Sequence, residues 1–446
     1  MGESSGQHIG LAMSGGGHRA ALFGLGALLY LVDAGKGPEI ACISSVSGGS
    51  MTNGAVAMTS DVRTVSPEQL REDVRPLVRA CSTGGSVFAA PWTYAYLAVA
   101  VLIVVAATVA CFPLEGYWPF AVWAVAIVAL GWWLRKRGWV AERSFDRSIY
   151  RGARLDAIHA GVDHVICAAD LQTAEAVYFS GRFLHSYRLG WGRPGSLRLA
   201  RAVQSSANLP GAFHSRRLAT ADLGFERPDA VPRMLLTDGG VYDNMATEWP
   251  LRLAARRKEG RLPDPAPHDV DEVIVVNSSA AQGVRSRRSV DIPVIGELTE
   301  LLAVKDVLYD QSTAVRRRLL DLRFRTAAAQ DDGIVGTTVQ IDRSPTELAH
   351  QFGRGGDELA QRARAAIAHL AELSDDEWHA EAHASRSVKT ALSKIPADRA
   401  ARLLRHAYAL TMANAHVLLD YPLLPLPPLR DLEAMSSDEQ AMSEQR

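Results

Sequence analysis

Cysteine is scarce in this chain. Cys42, Cys81, Cys111 and Cys167 are the only four among 446 residues, and no two stand in a C-x-x-C spacing. That argues against a structural zinc site or a dithiol redox motif, and isolated thiols in apolar stretches fit a reducing compartment. Net charge is nearly absent as well. The 48 Lys and Arg against 49 Asp and Glu leave −1, so nothing points to a nucleic-acid partner. Met1 to His8 is small and polar, without the basic region and apolar run of a secretory leader. No Gly-Lys-Ser/Thr triplet occurs, which excludes a P-loop. No metal-ligand spacing and no internal repeat is found, so no metal or cofactor is expected.

What the chain does have is three small-residue turns, each following an apolar run. His8 to Met13 reads as a buried strand. It enters Ser14-Gly15-Gly16-Gly17-His18-Arg19 and then a helix from Ala20 to Val32. Ala41-Cys42-Ile43-Ser44-Ser45-Val46 reads as a second strand. It runs into Ser47-Gly48-Gly49-Ser50, with a helix over Met51 to Met58. Leu235 to Thr237 is a third strand, followed by Asp238-Gly239-Gly240-Val241-Tyr242-Asp243-Asn244. Strand, glycine turn and helix in alternation argue for a parallel sheet flanked by helices.

The second turn has the context of a nucleophile elbow, in which a serine sits on a strained strand-to-helix turn above the sheet. The pattern is G-x-S-x-G with Ser45 in place of the first glycine and Ser47 as the nucleophile candidate. Gly48 and Gly49 allow the close backbone approach that a side chain would block. The first turn, Gly15-x-Gly17-x-x-Ala20, also mimics a dinucleotide fingerprint. That motif wants an acidic residue at the end of the second strand, and the second strand here ends in Ser45-Val46-Ser47.

The order Gly15-Gly16-Gly17-His18-Arg19, then Ser45-Val46-Ser47-Gly48-Gly49, then Asp238-Gly239-Gly240 resembles the patatin-like phospholipase family, whose pattern is G-G-G-x-R/K, G-x-S-x-G and D-G-G/A. Ser205 to Phe213 is similar to the segment just upstream of that family's aspartate. The resemblance covers residues 8–345. It implies a three-layer α/β/α sandwich and a Ser47–Asp238 dyad with no histidine between them. Gly15, Gly16 and Gly17 open a helix, so their N–H groups suit an oxyanion. Arg19 is expected to add charge or hold the loop. Gly239 allows Asp238 to approach a neighbouring backbone, Asn208 is a candidate for orienting that backbone, and Asp243 for bracing its loop. His18, His164, His185 and His214 are rival bases for a conventional triad. None sits in a diagnostic motif, and each reads as structural.

One stretch departs from a soluble pattern. Between Arg79 and Arg135 the only charged residue is Glu115. Trp92 to Phe112 is a run of about 20 apolar or small residues, long enough to cross a bilayer, and Phe120 to Leu134 is a shorter second run. Aromatics cluster at the ends of both. Arg135-Lys136-Arg137 follows directly, Arg71, Arg75 and Arg79 precede, and the connecting turn has no basic residue. The expectation is a membrane hairpin over 92–134 with both ends cytoplasmic, and therefore an integral membrane protein with its catalytic domain on the cytoplasmic side. A buried helical pair in a soluble cap is the alternative.

Downstream, strands are expected at Val162 to Ala169, Val177 to Ser180, Val273 to Asn277 and Thr337 to Ile341. Helices are expected at Leu197 to Gln204, Glu248 to Lys258 and Leu298 to Arg325. Arg316-Arg317-Arg318 reads as a solvated face. The expected organisation is a catalytic domain over 8–345 interrupted by the hairpin, C-terminal helices over 346–420, and a proline-rich then acidic tail over 421–446. The function expected is hydrolysis of phospholipid or lysophospholipid acyl esters. An acyltransferase on the same dyad and a non-catalytic lipid-binding membrane protein are the alternatives. Oligomerisation is left open by the sequence.

Overall fold

The computed structural model describes residues 8–83, 85–88, 90–279, 295–327 and 333–437. The chain begins with β1 (Ile9–Met13), α1 (Gly17–Asp33), β2 (Ile40–Val46) and α2 (Gly48–Thr59). β1 and β2 pair in parallel, and every residue of both is buried. That is why they read as unbroken apolar and small-residue runs. α3 (Pro67–Ser82) starts at Ser66, whose hydroxyl accepts the Gln69 N–H, and it buries Leu70, Val74, Leu77 and Val78.

α4 (Pro91–Cys111) and α5 (Trp118–Leu134) follow. They pack on each other, with Tyr96 stacked on Trp133 at 5.5 Å. Nearly everything else on them faces outward: only Thr93, Tyr96, Ala107 and Ala126 are buried. α4, and the helical stretch that α5 begins, are long and apolar enough to cross a bilayer. α6 (Arg137–Phe145) returns the chain to the body of the protein.

The middle of the chain supplies β3 (Asp163–Asp170), β4 (Glu175–Phe179), β5 (Leu184–Ser186), β6 (Gly190–Gly192), α7 (Leu199–Ser206), β7 (Arg216–Ala219), β8 (Arg233–Asp238) and α8 (Gly240–Asp243). Then come α9 (Glu248–Leu251), α10 (Leu253–Lys258), β9 (Glu272–Asn277), α11 (Ile295–Arg325) and β10 (Val335–Gln340). The C-terminal helices are α12 (Glu347–Phe352), α13 (Glu358–His369), α14 (Asp375–Ser387), α15 (Ala397–Leu419) and α16 (Leu429–Ala434).

The strands form one sheet in the order β10-β9-β1-β2-β3-β4-β5-β6, with β8 on β3 and β7 on β8. β10 through β3 are parallel. The expectation of a parallel sheet therefore holds for one half. Beyond β3 all pairings are antiparallel. Alternate residues of each strand enter two different cores. Ile9, Leu11, Met13 and Ile43 pack with α1, α2, α3 and α15. Ala12, Cys42 and Val46 pack with Trp249, Leu253 and Leu320. The fold is thus an α/β arrangement with helices on both faces of a mixed sheet.

The C-terminal helices share this core. α15 lies so close to α1 that a methyl on Gly26 would overlap the Leu404 carbonyl oxygen. The proline-rich tail is strapped down: Tyr30 Oη donates to the Pro422 carbonyl at 2.9 Å and Tyr421 Oη bonds Glu272. Residues 438–446, expected to be acidic and polar, lie outside the described residues. Arg316 is not simply solvated. It donates to the Tyr242 carbonyl at 3.0 Å and stands 3.5 Å from Glu248.

At the start of β3, the Asp163 carboxylate is fully buried and is ion-paired with Arg182. It accepts the His268 N–H at 2.6 Å and faces His268 Nδ1 at 3.0 Å. Burial alone would raise its pKa, but His268 and Arg182 outweigh burial and hold it below the usual carboxylate value. Its contribution to stability is therefore present above the usual carboxylate range and is lost as pH falls through the depressed folded value. Asp163→Ala leaves Arg182 without its buried partner and is expected to cost about 3–5 kcal/mol, read as a lowered denaturant midpoint. An unchanged midpoint would refute this.

Candidate active site

Ser47 joins β2 to α2 with φ 52° and ψ −117°. A non-glycine residue in that region is strained by about 1–3 kcal/mol and persists only where its surroundings fix it. Here they do. The Ser47 N–H donates to Ser206 Oγ at 2.9 Å, and Ser206 Oγ donates in turn to the Cys167 carbonyl at 2.5 Å. Ser50 N–H reaches the Ser47 carbonyl at 3.0 Å, and Gly49 N–H reaches that of Ser14 at 3.2 Å. Ser45, the departure from the glycine pattern, is buried with its hydroxyl used. It donates to the Val165 carbonyl at 3.2 Å and accepts from Ser50 Oγ at 3.1 Å and Asn53 Nδ2 at 2.8 Å. Serine at this position braces the turn that a glycine would leave open.

The register of the sheet brings Asp238 to Ser47. On β3, Cys167 pairs with Val46, the last residue of β2. The next residue, Ala168, pairs with Asp238, the last residue of β8. β4 occupies the other edge of β3 over the same residues, so β2 and β8 share one edge and meet tip to tip. Gly239 makes the meeting close: a methyl there would overlap the Cys167 carbonyl oxygen and lie 3.2 Å from Val46 Cγ1. Asp238 is 1% exposed. Its Oδ1 accepts the Gly240 N–H at 2.8 Å, and its own N–H donates to the Asn208 carbonyl at 3.0 Å. Asn208 is itself held, with Nδ2 donating to the Leu236 and His214 carbonyls and Oδ1 accepting from Gln204 Nε2 at 2.9 Å.

The glycine loop lies on the other side of Ser47. A methyl on Gly15 would sit 3.2 Å from Ser47 Cβ. Gly16 and Gly17 take φ of 144° and 61°, which a side chain would resist. Gly15 N–H is committed to the Asn244 carbonyl at 3.0 Å, so the donor role expected of all three glycines narrows to Gly16 and Gly17. Their N–H groups and that of Gly48 have no partner among the described residues. These donors belong to the first turns of α1 and α2, so two helix dipoles converge beside the Ser47 hydroxyl.

The histidines are occupied elsewhere. His18 is locked between Ser86 Oγ at 2.7 Å and the Ser393 carbonyl at 2.9 Å, and burial lowers its pKa to about 4. His164 faces Asn53 Oδ1 at 2.7 Å and is likewise lowered to about 4 by burial. His185 lies against Trp191 at 4.2 Å. His214 contributes its backbone carbonyl to Asn208. Among the described residues Arg19 meets no carboxylate: it donates to the Arg386 and Val388 carbonyls, holding the C-terminal chain over the loop. Asp243 braces its turn by accepting the Met245, Thr247 and Glu248 N–H groups. Among the described residues no cluster of His, Cys, Asp and Glu suits a metal ion.

Two residues here had no assigned role from sequence. Ser206 ties the ends of β2, β3 and β8 together, and its only signal was a small polar residue just upstream of Asn208. Tyr309 on α11 bonds Asn244 Oδ1, and a methyl on Gly240 would overlap its hydroxyl. Its hydroxyl would also lie 3.5 Å from a methyl on Gly15, so it packs between the Asp238 turn and the glycine loop, and a lone tyrosine in a long helix gives no sequence signal.

Both feet of the α4–α5 pair root beside this site. Ser86, just before α4, holds His18 next to the glycine loop. Gly138 in α6 packs on Gln204, where a methyl would lie 3.2 Å from Nε2, and Gln204 supports Asn208.

The family model described as patatin-like phospholipase matches residues 11–249. No curated protein matches the chain. Among solved structures, human GIVD cytosolic phospholipase A2 is similar at 14% identity and a TM-score of 0.45, over 96% of this chain and 63% of that one. Its complex with methyl gamma-linolenyl fluorophosphonate gives 13%, 0.45, 96% and 59%. VipD from Legionella pneumophila gives 12% and 0.26, over 97% of this chain and 88% of that one. The chain thus spans a little under two thirds of the length of the human enzyme.

Proposed function

The chain belongs to the patatin-like phospholipase family, and from that premise we propose that it is a membrane-anchored serine hydrolase acting on acyl esters of phospholipids or lysophospholipids. What carries the reading is the tip-to-tip meeting of β2 and β8, with a hydroxyl on one tip and a buried carboxylate on the other.

Ser47 Oγ attacks the acyl carbonyl carbon while its proton passes to Asp238. The carbonyl oxygen gathers negative charge against the Gly16, Gly17 and Gly48 N–H groups. Collapse of the tetrahedral species expels the alcohol, which takes the proton from Asp238, and leaves an acyl-enzyme. Water then attacks, gives its proton to Asp238, and the fatty acid departs as that proton returns to Ser47. Asn208, Ser206 and Gly239 position the two reacting groups and touch no substrate atom. An alcohol acceptor in place of water would make the enzyme an acyltransferase.

The bilayer surrounds residues 92–134. In support of this, α4 and α5 turn apolar side chains outward along almost their whole length, which a buried pair in a soluble cap would not. Arg135-Lys136-Arg137 puts both feet and the catalytic domain on the cytoplasmic side. The catalytic domain runs over 8–345 around this insertion, with helices over 346–420 and then the tail over 421–446. Since both feet root beside Ser47 and Asp238, the site opens toward the lipid.

Detergent-solubilised protein mixed with phospholipids is expected to release free fatty acid and to form a fluorophosphonate adduct on Ser47. Transesterified lipid instead of fatty acid would assign the acyltransferase. Absence of both product and adduct would overturn the reading.

A further inference from the structure

The segment following α5 carries five cations within Arg135 to Arg147: Arg135, Lys136, Arg137, Arg143 and Arg147. Two acids, Glu142 and Asp146, lie among them, and both are taken by cations from elsewhere. Glu142 pairs with Arg216 and Asp146 with Arg198. None of the five has a carboxylate within 4.0 Å among the described residues. Three of them rest instead on aromatic faces, while Arg137 Nε donates to the Leu134 carbonyl at 3.0 Å. Lys136 Nζ lies 4.6 Å from both the Trp132 and Trp133 rings. Arg143 lies 5.5 Å from Trp92 and 5.3 Å from Trp139, and Arg147 lies 5.3 Å from Trp92. The rings are fixed in turn, with Trp92 Nε1 donating to Ser144 Oγ at 2.9 Å and Trp133 Nε1 to the Tyr96 carbonyl at 3.0 Å.

Tryptophan takes the headgroup depth of a bilayer, and arginine and lysine extend from there toward phosphate. A cation on an aromatic face keeps its charge and still presents free N–H donors outward. We infer that this collar of unpaired cations on tryptophan platforms is a docking surface for anionic phospholipid headgroups, which it concentrates at the mouth of the active site. The inference rests on α4 and α5 crossing the bilayer. The collar lies near the site: after burial, Arg135, Arg217 and Arg137 add to the lowering of the His214 pKa, and the His214 carbonyl accepts from Asn208. An anionic lipid held there lies beside the support of Asp238.

The tryptophans provide the readout. Full-length protein is reconstituted in zwitterionic vesicles, and brominated lipid is added at a fixed low mole fraction, either anionic or zwitterionic. The anionic lipid is expected to quench tryptophan fluorescence about threefold more than its zwitterionic counterpart, because the collar enriches it locally. Exchanging Arg135→Gln, Lys136→Gln, Arg137→Gln and Arg143→Gln together is expected to abolish the excess. Should that variant fail to fold, the excess in the unaltered protein must still shrink as salt is raised from about 0.05 to 0.5 M. Equal quenching by both lipids would overturn the collar while leaving the hairpin in the bilayer. No quenching by either would overturn the hairpin, and the collar with it.

Discussion

Asp238→Asn is expected to reduce fatty acid release roughly ten-thousand-fold while the protein stays folded, and Ser47→Ala is expected to do the same. Asparagine has the shape of aspartate, and its carbonyl oxygen can still accept the Gly240 N–H that Oδ1 accepts now. The β8 tip therefore keeps its place. What asparagine lacks is a basic oxygen to receive the Ser47 proton, and no described histidine stands in reach to replace it. Because the two groups act as a unit, the double variant should be no worse than either alone. Rates on a lysophospholipid and thermal melts of all three variants check this. Activity within about tenfold of the unaltered enzyme in either single variant would refute the dyad.

The second large effect belongs to Gly48→Ala. A methyl at this position would overlap the Gly17 carbonyl oxygen and lie 2.9 Å from the Gly17 nitrogen. Both neighbours are main chain, so neither can swing aside as a side chain would. The first turns of α1 and α2 must separate, and with them the N–H groups of Gly16, Gly17 and Gly48. Loss of one such donor costs about 10²–10³ in turnover, and disturbing all three should cost at least that. Gly131→Ala is the control. Nothing lies within 4 Å of the methyl it adds, and alanine is the better helix former, so turnover should not change. Equal activity in the two variants would remove the glycine loop from the mechanism.

The local part of this site was legible. Each turn follows a short apolar strand, and glycine and serine mark the turn by their size, so the turns at Gly16–Gly17, Ser47 and Asp238 are legible without contacts in view, while Asp238 as the base is implied only by the family resemblance. Pairings distant in sequence were hidden. Nothing near Leu235 to Asp238 announces that β8 runs antiparallel into the end of β2, or that its partner is β3. Short strands such as β5 and β6 carry too few residues to show alternation. Gly15 illustrates a different limit, because its sequence context matches that of its two neighbours and only the Asn244 carbonyl sets it apart. Within the C-terminal helical region the bounds of α14 are not legible, because Asp375 to Ser387 is largely charged and polar, and its helix rests on the Ser374 capping box more than on an apolar stripe.

The shared edge of β3 also has a mechanical consequence. β2 belongs to the parallel half of the sheet and β8 to the antiparallel half, and among the described strands β3 alone is laddered to both. Ser47 and Asp238 thus stand on opposite banks of a seam. Any shear or hinging of one half against the other changes the gap between them directly, while each half keeps its own ladder intact. Catalysis should therefore fail under heat or pressure before the secondary structure melts, with Ser206, bonded to all three strand ends, acting as the rivet that sets how far the seam can open.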